Sequence, residues 1–368
     1  MSSKLLLLKA LRLFRERRLP NVGFWIARAL KVHRDRAWRS YDMVSVVSLH
    51  PPILLTGCHP TKLARYLQPQ LADLDLTIFY RAGWTLEDEA TRVDRVAAIK
   101  AAQAGYPRHR YILAAGTPKE VELLASSGIR TEFLNECAFI DEHSFVPAAA
   151  TAKTFDAILD AQIAPYKRLE LAADVPNLLV VTYVYEGRFS PAYGDRIRAL
   201  LAGATWANGN FWDESYRRLN REQVAGCYQK ARVGLCLSAI EGPNLASIQY
   251  LLSDLPVVST PSLGGRDVFY DDDYAAIVPP EPAAIKAAVE KFLRVRPPAL
   301  EIRRRTLVKI YALRRRFAAI LIRTCGHPPV NEAWWRDLTT NRPVAYQDLK
   351  KVAASLRAAS HARRGDTR

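Results

Sequence analysis

The segment Glu241 to Arg266, EGPNLASIQYLLSDLPVVSTPSLGGR, most narrows the folds open to this chain. A β-rich run, Val233 to Ser238, leads into a turn at Glu241 and Gly242. An apolar stretch of helical period follows and ends near Asp254, before a second strand at Val257 to Thr260. Strand, turn, helix and strand in that order build a parallel sheet. The unit sets the Glu241 carboxylate at the C-terminal end of a strand, beside the free N–H groups that open a helix. Open α/β sheets bind ligands there, and helix starts stabilise anions. The segment therefore predicts a phosphate-bearing ligand.

The same alternation runs through most of the 368 residues, enough for two α/β domains. Strands are predicted at Val44 to Leu49, Ile53 to Leu55, Leu76 to Tyr80, Tyr111 to Ala115 and Thr131 to Leu134. Helices are predicted at Thr61 to Gln68, Leu86 to Ala104 and Pro118 to Ser126. A loop from Asn135 to Ala152 then precedes a second series. Its strands are Phe155 to Gln162, Leu178 to Tyr185, Val233 to Ser238 and Val257 to Thr260. Its helices are Arg168 to Ala173, Glu222 to Lys230, the segment from Asn244, and Glu281 to Arg294. The expected division is a basic helical arm over 1–40, a first Rossmann-like domain over 41–140, a linker over 141–152 and a second Rossmann-like domain over 153–298. Basic helices over 299–357 and a disordered tail over 358–368 complete it. Two doubly wound domains of this kind imply a cleft between them.

The net charge of +16 is concentrated at the ends. Residues 1–40 hold eleven Lys/Arg against two acids, and residues 299–368 hold sixteen against five, so the body between them is mildly acidic. Arg303 to Arg305 and Arg314 to Arg316 are triplets eleven residues apart, close to three helical turns, and so overlie one another. They read either as a solvated helix face or as a partner-binding one. No recognition motif for nucleic acid accompanies the basic ends, and an anionic lipid surface suits amphipathic basic helices. The five cysteines, at 58, 137, 227, 236 and 325, form no CxxC pair, which predicts reduced thiols in a cytoplasmic protein. Lys9 and Arg12 interrupt the apolar run Leu5 to Leu8, so no secretion signal is expected.

The runs FDAILDAQIAPYKRLELA (155–172) and Glu241 to Arg266, together with the crossover NECAFIDEHSFVP (135–147), resemble the nucleotide-sugar-binding half of retaining glycosyltransferases of the GT-B fold, specifically family 4. The resemblance covers roughly 131–295, and the first domain only by strand order. It implies a glycosyltransferase that needs no metal or other cofactor and moves a sugar from a nucleotide sugar to a glycan or lipid-linked acceptor. The protein would sit in the cytoplasm, peripheral to the inner face of the membrane. Glu241 matches the first acid of the family's paired motif and would contact the transferred sugar. Gly242, Pro243, Asn244, Leu245 and Ala246 would form the turn and helix start around the diphosphate, and Lys167 would clamp the phosphates.

This chain departs from the pattern at several places. Gln249 stands where a second acid usually grips the ribose hydroxyls, and an amide cannot make the bidentate charge-assisted pair that a carboxylate makes. Gln162 stands where an arginine usually assists the lysine, with Arg168 and Arg266 as substitutes nearby. The family's first-domain histidine is absent: the segment after Phe79 reads Tyr80, Arg81, Ala82, Gly83, Trp84. That leaves Tyr80, Arg81 and Trp84 as acceptor-side candidates and His59, in the loop Thr56 to Pro60, as an alternative catalytic one. Gly264 and Gly265 serve either a tight turn or a close approach to ligand. Asp73 and Asp75 read as ordinary surface acids. A catalytically weakened relative that binds nucleotide sugar or glycan, or scaffolds other enzymes, is the competing expectation.

Overall fold

The structure, a computed structural model, describes residues 44–147, 152–183, 190–209, 215–326 and 346–365. The basic arm expected over 1–40 lies outside them, as do Val184 and Tyr185 of the strand expected to reach Tyr185.

The first sheet contains β1 (Val44–Leu49), β2 (Pro52–Thr56), β3 (Leu76–Arg81), β4 (His109–Ala115) and β5 (Thr131–Phe133), neighbours in that order. β1 is antiparallel to β2 and the rest are parallel. Strands buried on both faces need apolar residues at consecutive positions, and the period of two then sorts them. Leu54, Ile78, Tyr80, Tyr111 and Leu113 face helices α1 (Pro60–Tyr66), α2 (Glu89–Gly105) and α3 (Pro118–Leu124). Ile53, Leu55, Phe79, Ile112 and Ala114 face the other way.

The second sheet contains β6 (Phe155–Gln162), β7 (Leu178–Tyr183), β8 (Thr205–Trp206), β9 (Ala231–Cys236), β10 (Val257–Ser259) and β11 (Ala275–Ile277). Its order is β11-β10-β9-β6-β7-β8, all parallel. Helices α4 (Pro191–Leu200), α5 (Arg221–Lys230), α6 (Leu245–Leu252) and α7 (Pro282–Arg294) cover its faces. Strand order reverses between β9 and β6, and the crevice beyond that switch point is where such sheets take ligands. The sequence pattern did not mark α4, β8 or β11, because the strands are two and three residues long and Gly194 interrupts the helix. The helix expected at 168–173 is instead two 3₁₀ turns, Pro165–Lys167 and Leu169–Ala172, broken by Arg168 in the left-handed conformation at φ 50°.

Helix α8 (Glu301–Cys325) joins the two halves. Its first turns place Ile302, Ile310 and Leu313 in the second-domain core. Its last turns place Phe317, Ile320 and Leu321 over the uncovered face of the first sheet. Each triplet turns one arginine, Arg303 and Arg314, into the fold, which corrects the expectation of a solvated or partner-binding face for all six, while Arg304, Arg315 and Arg316 stay exposed. Arg303 donates to the carbonyls of Phe145 and Leu252, each at 2.6 Å, and of Glu142 at 2.9 Å. Arg314 donates to the carbonyls of Ala138 and Ile140 and, at 3.0 and 2.8 Å, to both carboxylate oxygens of Glu142. Arg305 pairs with Glu301, Asp271 and Asp273. Eleven-residue spacing does align the triplets, and Arg303 and Arg314 grip the crossover between the domains.

The tail also differs from expectation: α9 (Tyr346–Gly365), anchored by Ala353 and Leu356 in the first-domain core, continues as helix past Ala358. Among the described residues no helix is long and apolar enough to cross a membrane.

The Arg314–Glu142 pair is 4 % and 2 % exposed, so Glu142→Ala strands a buried guanidinium and should lower unfolding free energy by about 3–5 kcal/mol in chemical denaturation. Burial pushes the Glu142 carboxyl up, but the bonds and charge of Arg314 outweigh it and the net shift is downward. The pair's contribution is therefore present above the ordinary carboxylate range and lost as pH falls through the lowered value. A wild-type stability loss on acidification that Glu142→Ala does not share is the expected outcome.

Candidate functional site

A cavity of about 480 Å³ opens at the switch point, walled mainly by the second domain and closed on one side by Gly83 and Trp84 of the first. Glu241, Gly242, Pro243, Asn244, Leu245, Ala246, Gln249 and Lys167 line it, as does Trp84. Nine sequence-predicted residues are thus brought to one wall or another.

Local chemistry explains the placement. Asn244 caps α6 by accepting the Ser247 N–H at 3.1 Å; the first-turn N–H groups of Leu245 and Ala246 have no partner within the helix, and both residues line the cavity. Glu241 donates its backbone N–H to the Leu263 carbonyl at 3.0 Å, so the loop after β10 fixes the turn after β9. Lys167 pairs with Glu241 Oε1. Glu241 is only 5 % exposed, and its Oε2 is buried without a hydrogen-bond partner among the described residues. An ionised oxygen left that way is costly unless something else donates to it.

Other expected residues stand behind the site instead of in it. Arg168 donates to the carbonyls of Leu237 and Pro261 and to Thr260 Oγ1, and Arg266 donates to the carbonyls of Ser238 and Thr260 and to Ser238 Oγ. Neither guanidinium lines the cavity; both lace the post-β9 loop to the post-β10 loop that holds Glu241. Gln162 is 2 % exposed, accepts from the Tyr166 hydroxyl at 3.2 Å and does not line the cavity. Gly264, at φ 112°, lies where a Cβ would stand 2.0 Å from the Glu241 carbonyl oxygen. A Cβ on Gly265 would meet Asn135 Nδ2 at 2.7 Å and the Gly116 carbonyl at 2.9 Å. These glycines serve packing between loops and between domains, and neither lines the cavity.

On the first-domain side, Tyr80 is buried in the core and Arg81 pairs with Glu136 at 2.8 Å beside a far smaller cavity. Trp84 alone of that trio reaches the main cavity, edge-on to Tyr166 at 5.5 Å. His59 caps α1 by accepting the Thr61 N–H, and its Nε2 lies 3.1 Å from Asp94 Oδ2, away from the cavity. Asp75 pairs with Arg108, and Asp73 lies 3.6 Å from Arg357.

Sequence reasoning missed Asp160, Thr182, Asn208, Arg218, Asn220 and Arg221, all of which line the cavity. Four of them sit in or near the stretch around 200–221, where the sequence showed no clear period. Asp160 did leave a signal: a carboxylate inside the apolar strand FDAILDAQ.

Two solved structures share this architecture. Anabaena HepE in complex with UDP aligns with a TM-score of 0.50 at 11% identity, over 71% of this chain and 80% of its own. AviGT4, a glycosyltransferase involved in avilamycin A biosynthesis, aligns with a TM-score of 0.50 at 15% identity, over 73% and 79%. The fold is GT-B. No protein-family model and no curated protein matches the sequence.

Gly264→Ala should therefore cost at least about 1–3 kcal/mol from backbone strain alone and displace Glu241. Gly203→Ala, where a Cβ meets open space, should stay within about 0.5 kcal/mol of wild type. Paired thermal denaturation of the two variants checks this.

Proposed function

We propose that the protein is a retaining glycosyltransferase that takes its sugar from a nucleotide-sugar donor. The observation that carries this reading is the Glu241 carboxylate, on a residue that lines the cavity at the switch point: one oxygen is held by Lys167, and the other is buried without a hydrogen-bond partner among the described residues. Sugar hydroxyls are donors of the kind that satisfy such an oxygen. The N–H groups of Leu245 and Ala246, with the Lys167 ammonium, suit a diphosphate at the same end.

Cleaving a sugar from a diphosphate builds negative charge on the leaving group. Lys167 and the α6 start are fixed in place beforehand, so they stabilise that charge without reorganising. Glu241 holds the sugar, and the leaving phosphate helps to deprotonate an acceptor hydroxyl arriving past Trp84, so the new bond forms on the face the old one left. No metal is needed in this scheme, because Lys167 and the helix start supply the positive charge. UDP in the similar HepE structure supports a nucleoside diphosphate as the handle. The acceptor is proposed as a glycan or a lipid-linked sugar. Contact with an anionic membrane is proposed for the basic residues of 1–40.

A screen of common nucleotide sugars should give a thermal upshift with at least one of them, and turnover with a suitable acceptor. Lys167→Gln should lower kcat by about 10²–10³-fold, and Glu241→Gln should lower turnover while nucleoside diphosphate binding persists. No shift with any donor at high concentration would sink the reading, and donor binding without turnover in any variant would favour a scaffold. Removing residues 1–40 should weaken partition onto anionic vesicles; equal partition refutes the membrane contact.

A further inference from the structure

Among the described residues, Asp160 is the one acid on the cavity wall that the family resemblance leaves without a role. It sits near the C-terminal end of β6, and its backbone N–H donates to the Tyr250 hydroxyl at 2.6 Å. Tyr250 reaches it across β9 because residue 234 is glycine: a Cβ there would lie 2.3 Å from the Tyr250 ring. The Tyr228 hydroxyl, from α5, lies 2.5 Å from Asp160 Oδ2 and 2.9 Å from Gln249 Oε1.

That hydroxyl carries one proton and cannot serve two acceptors. The shorter contact to the charged carboxylate takes it, and rotating the Gln249 amide turns an N–H toward the phenol oxygen instead. The result is a relay in which the Gln249 amide donates to Tyr228 and Tyr228 donates to Asp160. The side chain at position 249 is then committed to the protein, and the carboxylate at the end of the relay faces the same cavity.

We propose that Asp160 is the acceptor for the ribose hydroxyls of the donor nucleotide, a task moved from the helix position occupied by Gln249 to the neighbouring strand. The inference rests on the nucleotide-sugar reading of this cavity. A vicinal diol offers two O–H donors, and a carboxylate accepts both while keeping its bond from Tyr228.

The surroundings set how the group responds to pH. Tyr228 and Cys227 of α5, Gln249 and Tyr250 of α6, and Lys167 face it from the packed elements. Burial pushes the Asp160 carboxyl up to about 6, against the opposing pull of the Tyr228 bond and the Lys167 charge. It is thus ionised at neutral pH and takes a proton in mildly acidic solution.

The test compares binding of UDP, ADP and GDP with binding of their 2′,3′-dideoxy counterparts by calorimetry. Wild type should favour the ribonucleotide by at least about tenfold. Asp160→Asn, which keeps an acceptor for Tyr228, should bring that ratio close to one. In wild type the ratio should fall as pH goes from about 8 to about 5, through the Asp160 value of about 6. Groups that act on the phosphates cancel in this ratio, so a merely structural role for Asp160 would leave it unmoved. If the variant does not fold, the pH series on the intact protein decides. A wild type that binds both forms equally, or a ratio untouched by Asp160→Asn or by pH, overturns the inference and leaves the proposed function standing. Binding of none of the three diphosphates, together with no shift from any nucleotide sugar, overturns both.

Discussion

Helix α8 and its two inward arginines hold the arrangement on which everything else depends. A cleft between two domains is only as defined as the crossover that joins them, and here Arg303 and Arg314 grip that crossover through four backbone carbonyls and the Glu142 carboxylate, and Arg303 ties it to the end of α6 at Leu252. Because one end of the same helix is part of one core and the other end is part of the second, sliding the domains apart would break apolar packing and buried charge together. Asn135 adds a bond to each side, donating to the Gly116 and Gly265 carbonyls at 3.0 and 2.8 Å. The cavity wall made by Gly83 and Trp84 owes its position to this bracing.

Within the second domain, charge is layered by distance from the cavity. Lys167, Glu241 and Asp160 line the space itself. Behind them Arg168 and Arg266 hold the loops after β9 and β10, and their hydrogen bonds end on backbone carbonyls and hydroxyls. A guanidinium suits that place because its planar fork satisfies several carbonyls at once and stays charged when buried. The two cations that a sequence motif offers as phosphate ligands thus act one layer back, on the shape of the turn that carries Glu241.

Much of this was legible before any coordinates. Strands β6, β7, β9 and β10, Glu241 at a strand end and a helix opening at Asn244 follow from local patterns with a physical cause and lie where those patterns put them, while Lys167 came from the family resemblance. What the pattern could not carry was side-chain direction. Arg168 is adjacent to Lys167 in sequence, yet its left-handed backbone turns it to the opposite side of the loop. His59 reads as a reactive group near a strand end and proves to be a helix cap. Asp160 was hidden by the opposite error, since a single acid in an apolar strand is easily read as the strand's exposed side. Non-local contact decided the rest: nothing near Arg314 in sequence announces Glu142, more than 170 residues away.

The path of α8 also bears on how the chain comes to be folded. The face of the first sheet made by Ile53, Leu55, Phe79, Ile112 and Ala114 has its cover in Phe317, Ile320 and Leu321. Those residues are made about 200 positions after Ala114. At roughly 5–20 residues per second, the first sheet emerges from the ribosome and waits some ten to forty seconds without the α8 side chains that cover this face. The intervening second domain can complete its own sheet in that time, so synthesis presents a half-dressed first domain tethered to a nearly finished second one. That interval, more than any feature of the finished protein, is when this molecule is most exposed to sticking to its neighbours and most dependent on whatever shields nascent chains.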